Sequence, residues 1–457
     1  MESPWIRIVG LDETNSRPVA ERLNGAGVPA FRAVNSAEGG VGILVVRDLD
    51  RGLVDRLCSD YAPLDVRAAV LVVSACPAPD VLARLREAGL AEVRSWEDRG
   101  PCAGTIAARI QRWLEIERLL RDDEIGRQAC AASLPMRRLL RDLLEVAVFT
   151  TDPILILGET GTGKESVARL VHAVDRRVGK RDLVVVDCST IPAELSASEF
   201  FGHERGAFTG ALAPRDGAIA MAHEGTLFLD EVGELTPAMQ AQLLRVVQEK
   251  AFKRVGGGNW QRSEFRLVCA THRGIDDGGG DGGEGGFRRD FFHRIARWVF
   301  RLPTLAERAQ DILPLADSIA AVTLGSSPGF DRDTSAFLAG REYPGNVRDL
   351  RNLVLRMCGR HVGAGPITLN DLATQDLGAG RGVTARLDAA AEIAALAGTG
   401  LKTIERKARD AAIRAALSAS GNSVPRAARL LQISDRALQM ELAKRSEAPI
   451  ELRAEEA

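Results

Sequence analysis

Apolar positions in the first hundred residues come in short blocks separated by polar turns. Ile6–Val9, Gly42–Val46 and Ala68–Val73 are strand-like runs, and Val81–Ala88 is amphipathic at helical spacing. That alternation predicts a small α/β domain with a parallel sheet over residues 1–104. From Ala103 to Glu124 the period becomes helical throughout, with Ile106, Ile110, Leu114, Leu119 and Leu120 recurring on one face, so residues 105–124 are expected to form a helical linker. Such a helix either connects modules in signalling or dimerisation, or packs as the terminal helix of its own sheet. Residues 125–362 contain further short strands, among them Ile154–Leu157, Val184–Val186, Leu227–Leu229 and Phe265–Cys269. Residues 363–400 are rich in Ala and Gly and read as a linker containing some helix. Residues 401–446 read as a compact all-α unit, and Gly278–Gly286 as a low-complexity loop.

Composition narrows the class. A chain of 457 residues accommodates about three domains of ordinary size. Its apolar runs all fall well short of the roughly 20 residues that cross a bilayer, and the N-terminus lacks a basic-then-apolar leader, so a cytoplasmic protein with no membrane partner is expected. The seven cysteines are scattered, without a CxxC pair, which argues against a disulfide framework or a zinc site. The formal charge of −2 conceals an asymmetry. Between Leu401 and Arg445, ten basic residues face four acidic ones, the electrostatic footprint of a nucleic-acid binder.

Three motifs carry chemistry. Strand Ile154–Leu157 runs into Gly158-Glu159-Thr160-Gly161-Thr162-Gly163-Lys164 and then into a helix, Ser166–His172. Glycines let backbone N–H groups face phosphates, the helix N-terminus adds positive potential, and Lys164 supplies a mobile charge, so this is a P-loop for a nucleotide. A second apolar strand ends in Asp230-Glu231, which suits one carboxylate for orienting Mg²⁺ and its waters and one for polarising the attacking water. Between these two lies Gly206-Ala207-Phe208-Thr209-Gly210-Ala211, small residues around one aromatic ring and one hydroxyl. Glycines at 206 and 210 permit a tight reversal, so a protruding hairpin is expected, with Phe208 and Thr209 at its tip.

Together these segments resemble the AAA+ ATPase domain of bacterial activators that work on sigma-54 RNA polymerase. The resemblance implies a P-loop α/β ATPase with a helical lid, ATP and Mg²⁺ as cofactors, and Gly206–Ala211 as the loop that contacts sigma-54. Glu165 stands after the lysine, as is usual in that family, leaving Mg²⁺ to Asp230 and water. The segment Phe287–Arg294 resembles the finger region, which assigns Arg288 and Arg294 as arginines donated to a neighbouring subunit. Thr271-His272 matches the sensor I position, where the family often has Thr-Asn, and Tyr343–Asn352 resembles the WPGNVREL segment, which places Arg348 as sensor II. Asp187 stands where the family most often has the Asn that holds the catalytic glutamate. Opposite Glu231, it would bring two carboxylates together.

The C-terminal unit reads as helices Ile404–Ser418, Val424–Leu431 and Ser434–Arg445, a helix-turn-helix with Ser434 as N-cap of the recognition helix. Asn422–Leu442 resembles the Fis-type domain, with Gln432 in place of the usual turn glycine. Arg426, Arg429, Lys444 and Arg445 are expected on phosphates of double-stranded DNA upstream of promoters, and Arg436 and Gln439 on bases. A plain helical dimerisation module is the other reading. The N-terminal α/β pattern is receiver-like, with Asp12 and Glu13 after its first strand, Asp48 after the third and Ser74 after the fourth. The stretch Asn35–Gly40 is too short for a second helix, and no lysine precedes Lys164. A degenerate receiver controlled by a ligand or protein is therefore favoured over a phosphorylated one. The chain as a whole reads as a DNA-bound activator that assembles from dimer to hexamer and opens sigma-54 promoter complexes. The alternative is an ATP-binding, DNA-bound regulator that does not remodel them.

Overall fold

The computed structural model describes residues 4–9, 21–23, 25–27, 32–72, 78–95, 102–122, 125, 132–275, 287–373 and 376, and towards the C-terminus 405, 408–410, 412, 413, 416, 423–431 and 433–446. Asp12, Glu13, Ser74, Gln432, the Gly278–Gly286 loop and residues 377–400 of the linker lie outside the described residues, as do the side chains of Lys444 and Arg445. The chain divides into two compact units, Met1–Ala373 and Thr374–Ala457.

In the first unit, strands β1 (Trp5–Val9), β2 (Arg32–Ala33), β3 (Gly40–Val46), β4 (Val66–Val72) and β5 (Glu92–Ser95) form a parallel sheet in the order β2-β1-β3-β4-β5. This is the doubly wound order of flavodoxin-like sheets. Residues 34–39 join β2 to β3 without a helix, as the shortness of that stretch predicts. Helices Arg51–Tyr61 and Pro79–Glu87 cover one face, burying Val54, Leu57, Tyr61 and Leu85.

A second parallel sheet is built from β6 (Ile154–Leu157), β7 (Leu183–Asp187), β8 (Thr226–Asp230), β11 (Arg266–Thr271) and β12 (Trp298–Arg301), in the order β12-β6-β11-β8-β7. β9 (Ala251–Phe252) and β10 (Gln261–Arg262) pair as a separate antiparallel ribbon. All four residues of β6 and all six of β11 are buried, which accounts for their near-continuous apolar sequence. Helices Ile312–Leu324, Arg332–Gly340 and Asn346–Arg360 pack on one another around Leu338, Leu350, Leu353 and Met357 to form a lid.

Helix Cys102–Arg121 belongs to both cores. Ile106, Ile110 and Trp113 pack against the first sheet, whereas Ile116 is buried with Leu140, Leu143 and Leu144 of helix Leu134–Phe149, which covers the second. An arginine network fastens the same junction. Arg141, 3% exposed, is bonded to Glu117 and to Asp65 of the first module. Arg67 pairs with Asp142 at 3.0 Å and with Glu145, while Arg138 donates to the carbonyls of Ala62 at 2.9 Å and Glu87 at 3.1 Å. Removing one member of a buried charge group leaves its partners uncompensated, typically costing about 3–5 kcal/mol.

The second unit places helix Val424–Leu430 against helix Asp435–Ser446, with Ala427, Ala428 and Leu438 buried together with Ile413 and Ala416. The Ala437 amide donates to Ser434 Oγ at 3.2 Å, so Ser434 does cap the last helix.

Arg141→Ala should lower the stability of the first unfolding transition by about 3 kcal/mol in chemical denaturation, because Glu117 and Asp65 would lose their counter-charge. A loss below about 1 kcal/mol would contradict the structural role given to this network.

Candidate functional site

Strand order makes the site. Because β11 lies between β6 and β8, the P-loop, the turn after Thr271 and the Asp230-Glu231 pair emerge side by side at the carboxyl edge of the sheet, where open α/β sheets bind ligands. The loop is shaped by Gly161 and Gly163, with φ of +79° and +105°, a region that L side chains rarely adopt. Gly163 caps helix Lys164–Val174, whose N-terminus therefore points at the loop. The loop is braced from behind, as Gly158 N–H donates to Thr271 O at 3.3 Å and Thr162 Oγ1 donates to Glu159 O at 2.8 Å.

Lys164 is 6% exposed, and its ammonium donates to Gly158 O at 3.0 Å and Glu159 O at 3.3 Å while lying 3.3 Å from Glu231 Oε1. A lysine folded onto loop carbonyls is one that an arriving phosphate would draw away, because the anion offers a stronger partner than a neutral carbonyl. Glu231 has φ +52°, rare for a residue with a side chain. Its Oε2 accepts from the His272 backbone N–H at 3.1 Å and lies 2.7 Å from His272 Nδ1. Burial pushes the Glu231 carboxyl up, but the His272 donors and Lys164 outweigh it and hold the group below the usual glutamate value. Asp230 moves the other way. Burial and the neighbouring Glu231 and Asp187 carboxylates raise it, against the pull of the Glu231 N–H and Lys164.

Two expectations need correction. Asp187 does not face Glu231; in the sheet register it lies opposite Asp230, and its Oδ1 accepts from Ser189 N–H at 2.9 Å and Ser189 Oγ–H at 2.6 Å. A carboxylate has no proton to offer Glu231, so it turns to a donor on its own loop. Thr271 is fully buried, with its hydroxyl accepting from Arg273 N–H at 3.1 Å, so of the sensor pair only His272 reaches the acidic end. Glu165 points outward and pairs with Arg169 at 2.7 Å, one helical turn on.

The lid closes on the loop through residues whose roles were not foreseen. Asn346, 2% exposed, donates from Nδ2 to Glu159 Oε2 at 3.1 Å and Thr160 O at 3.2 Å, and accepts from Leu305 N–H at 2.8 Å. Arg308 is buried and donates to Thr162 O at 2.5 Å. Val347 N–H donates to Gly161 O at 2.9 Å, which leaves the next residue, Arg348, exposed beside the loop. Arg288 and Arg294 lie on the exposed side of helix Arg289–Ile295 and its N-cap. Arg288 pairs with Asp290 at 2.7 Å, and Arg294 donates to Val247 O at 3.2 Å.

Gly206–Ala211 lies between helices Ala193–Phe201 and Ala218–Met221. Reciprocal backbone bonds between His203 and Arg215, both 3.0 Å, close its base, and Gly206 N–H donates to Ala211 O at 2.9 Å. Gly206 and Gly210 carry φ of +82° and +105°, so the hairpin turns where its glycines predict. Phe208 is 41% exposed, with its ring edge-on to His203 at 5.0 Å.

Residues 130–301 match the model of the Sigma-54 interaction domain, and residues 306–384 that of the AAA+ ATPase lid domain. The central segment is thus similar to the sigma-54 interaction domain and its lid. The response regulator protein PilR of Pseudomonas aeruginosa is 42% identical to the chain over 226 residues, 49% of this chain and 50% of that protein. The alginate biosynthesis transcriptional regulatory protein AlgB of Pseudomonas syringae pv. tomato is 38% identical over 293 residues, 63% of this chain and 60% of its own. A crystal structure of NtrX from Brucella abortus, 24% identical, covers 97% of this chain and 100% of its own with a TM-score of 0.48. The chain spans about half the length of the curated relatives it matches. Among the described residues, no helix is long and apolar enough to cross a membrane.

The segment has little tolerance at its loop-to-lid contact. A Cβ on Gly161 would lie 2.2 Å from Gly345 O and 3.0 Å from Arg348 Cβ. Gly161→Ala should therefore weaken binding of a fluorescent ATP analogue by at least about tenfold while far-UV circular dichroism is unchanged. Equal affinity would show that the lid contact does not shape the nucleotide cradle.

Proposed function

We propose that the chain is a DNA-bound transcriptional activator that hydrolyses ATP in an oligomeric ring and uses the cycle to remodel sigma-54 RNA polymerase closed complexes into open ones. The observation that carries this reading is that the strand end bearing Glu231 and the helices bearing the Gly206–Ala211 hairpin pack into one hydrophobic core. Helices Ala193–Phe201 and Ala218–Met221, which bear the hairpin, share a core with β8 and its acidic end through Phe200, Ile219, Leu227 and Leu229.

The residues present fit a nucleotide and its Mg²⁺. Gly158–Lys164 would take the phosphates, and Asp230, whose carboxyl is raised by burial and by the neighbouring Glu231 carboxylate, suits a divalent ion. When bound, Mg²⁺ would neutralise charge on the phosphate oxygens. Glu231 accepts a proton from the attacking water, the resulting oxygen forms the new bond to the terminal phosphorus, and the bond to ADP breaks. Arg348 would contact the nucleotide from the lid, and Arg288 and Arg294 would stabilise the transferring group from a neighbouring subunit, which makes an oligomer necessary.

In the second unit, Arg426, Arg429, Arg436 and Gln439 are exposed and suit DNA, with Lys444 and Arg445 adding basic charge in the sequence. The first module is read as a receiver that has lost phosphorylation. Asp48 follows β3 at the carboxyl edge, but the sequence supplies no lysine before Lys164 to pair with a phosphoryl group.

Thr209→Ala should keep ATP turnover within about twofold of wild type and abolish nucleotide-dependent capture of sigma-54, since the tip is exposed and remote in sequence from the P-loop. Unchanged capture would remove the hairpin from the sigma-54 contact. Lys164→Ala should lose at least about 100-fold in turnover, and retained turnover would refute the hydrolytic site.

A further inference from the structure

Glu231 is the group whose placement decides whether a water is activated, and its position is not self-enforcing. It sits in left-handed backbone at φ +52°, a conformation that persists only where surrounding contacts determine it. Its two oxygens have different partners. Oε1 faces Lys164, the cation that phosphates would draw away, so this oxygen changes partner when nucleotide binds. Oε2 is held twice by one residue, at 3.1 Å by the His272 amide and at 2.7 Å by its ring Nδ1. Because an ionised carboxylate only accepts, Nδ1 carries the proton in this contact.

Strand β7 is the other neighbour of β8, and it supplies nothing to Glu231. The carboxylate of Asp187 at its end is engaged by Ser189 and registers with Asp230. The turn that presents His272 is fixed from below, since Thr271 accepts the Gly158 N–H through its carbonyl and the Arg273 N–H through its hydroxyl. His272 therefore follows the P-loop, and Glu231 follows His272.

We propose that His272 is the positioning residue for Glu231: it fixes Oε2 and so aims Oε1 at the attacking water once Lys164 has left for the phosphates. This rests on the hydrolytic reading above. It differs from a role in which His272 touches the nucleotide, because all of its effect passes through Glu231. The His272 side chain is 43% exposed, so its replacement does not open the core.

The test is steady-state ATP turnover by the full chain, alongside fluorescent ATP and ADP binding. His272→Ala should lower kcat about 10- to 100-fold, the cost of a misaimed catalytic group, with KM for ATP and the ATP-to-ADP affinity ratio unchanged within about twofold. His272→Asn keeps a side-chain N–H donor and should recover at least about fivefold of that loss. In a Glu231→Ala background, His272→Ala should cost nothing further, because the two residues act as one unit.

A wild-type kcat in His272→Ala overturns the proposal. So does a raised KM, a changed ATP-to-ADP ratio, or a further loss in the Glu231→Ala background, since each places His272 on the nucleotide instead. If the wild type turns over ATP, Lys164→Ala does not, and His272→Ala matches wild type, the positioning role alone fails. A wild type without turnover removes the hydrolytic reading and the proposal together.

Discussion

The ion pair between Lys164 and Glu231 organises the ATPase core. It exists because a parallel sheet inserts β11 between β6 and β8, so that residues 67 positions apart in sequence come within 3.3 Å at one sheet edge. The pair is charged on both sides, largely withdrawn from water, and sits in backbone that no ordinary strand end would adopt. Lys164 offsets an acidic end whose other member, Asp230, has its carboxyl raised by burial and by the adjacent Glu231 carboxylate. Loop, acidic end and sensor turn are thus one electrostatic unit, and a phosphate entering it exchanges partners already in place.

What the sequence made legible was local. The P-loop, the acidic strand end and the glycine hairpin each carry their geometry in consecutive residues, and the strand, loop, helix succession around Lys164 appears as its spacing predicts. The partner of Glu231 was not local. Register decides it, and a shift of one position across β7 and β8 is enough to set Asp187 against Asp230 instead. Asn346 and Arg308 were hidden for the same reason, since each reaches the loop from the lid across well over a hundred residues of sequence. The residue class gave no warning, because a buried Asn inside a helix start reads as a cap and an arginine as surface.

The junction between the first module and the ATPase is unusually ionic for buried contact. Arg67, Arg138 and Arg141 bind carboxylates and carbonyls from both sides, and one helix contributes to both cores. Such networks gain little net stability over apolar packing but fix one geometry, because each charge is costly out of place. The first module is thereby tied to helix Leu134–Phe149 through defined ion pairs at Asp65 and Arg67.

The proposed function requires coupling between ATP turnover in this core and work done through the Gly206–Ala211 hairpin. The most direct measurement is promoter melting by purified sigma-54 RNA polymerase, read by permanganate reactivity of unpaired thymines, with the full chain and either ATP or a non-hydrolysable analogue. Melting with ATP, and none with the analogue, is the predicted result. Vigorous ATP turnover in the same mixture with the promoter still closed would contradict it.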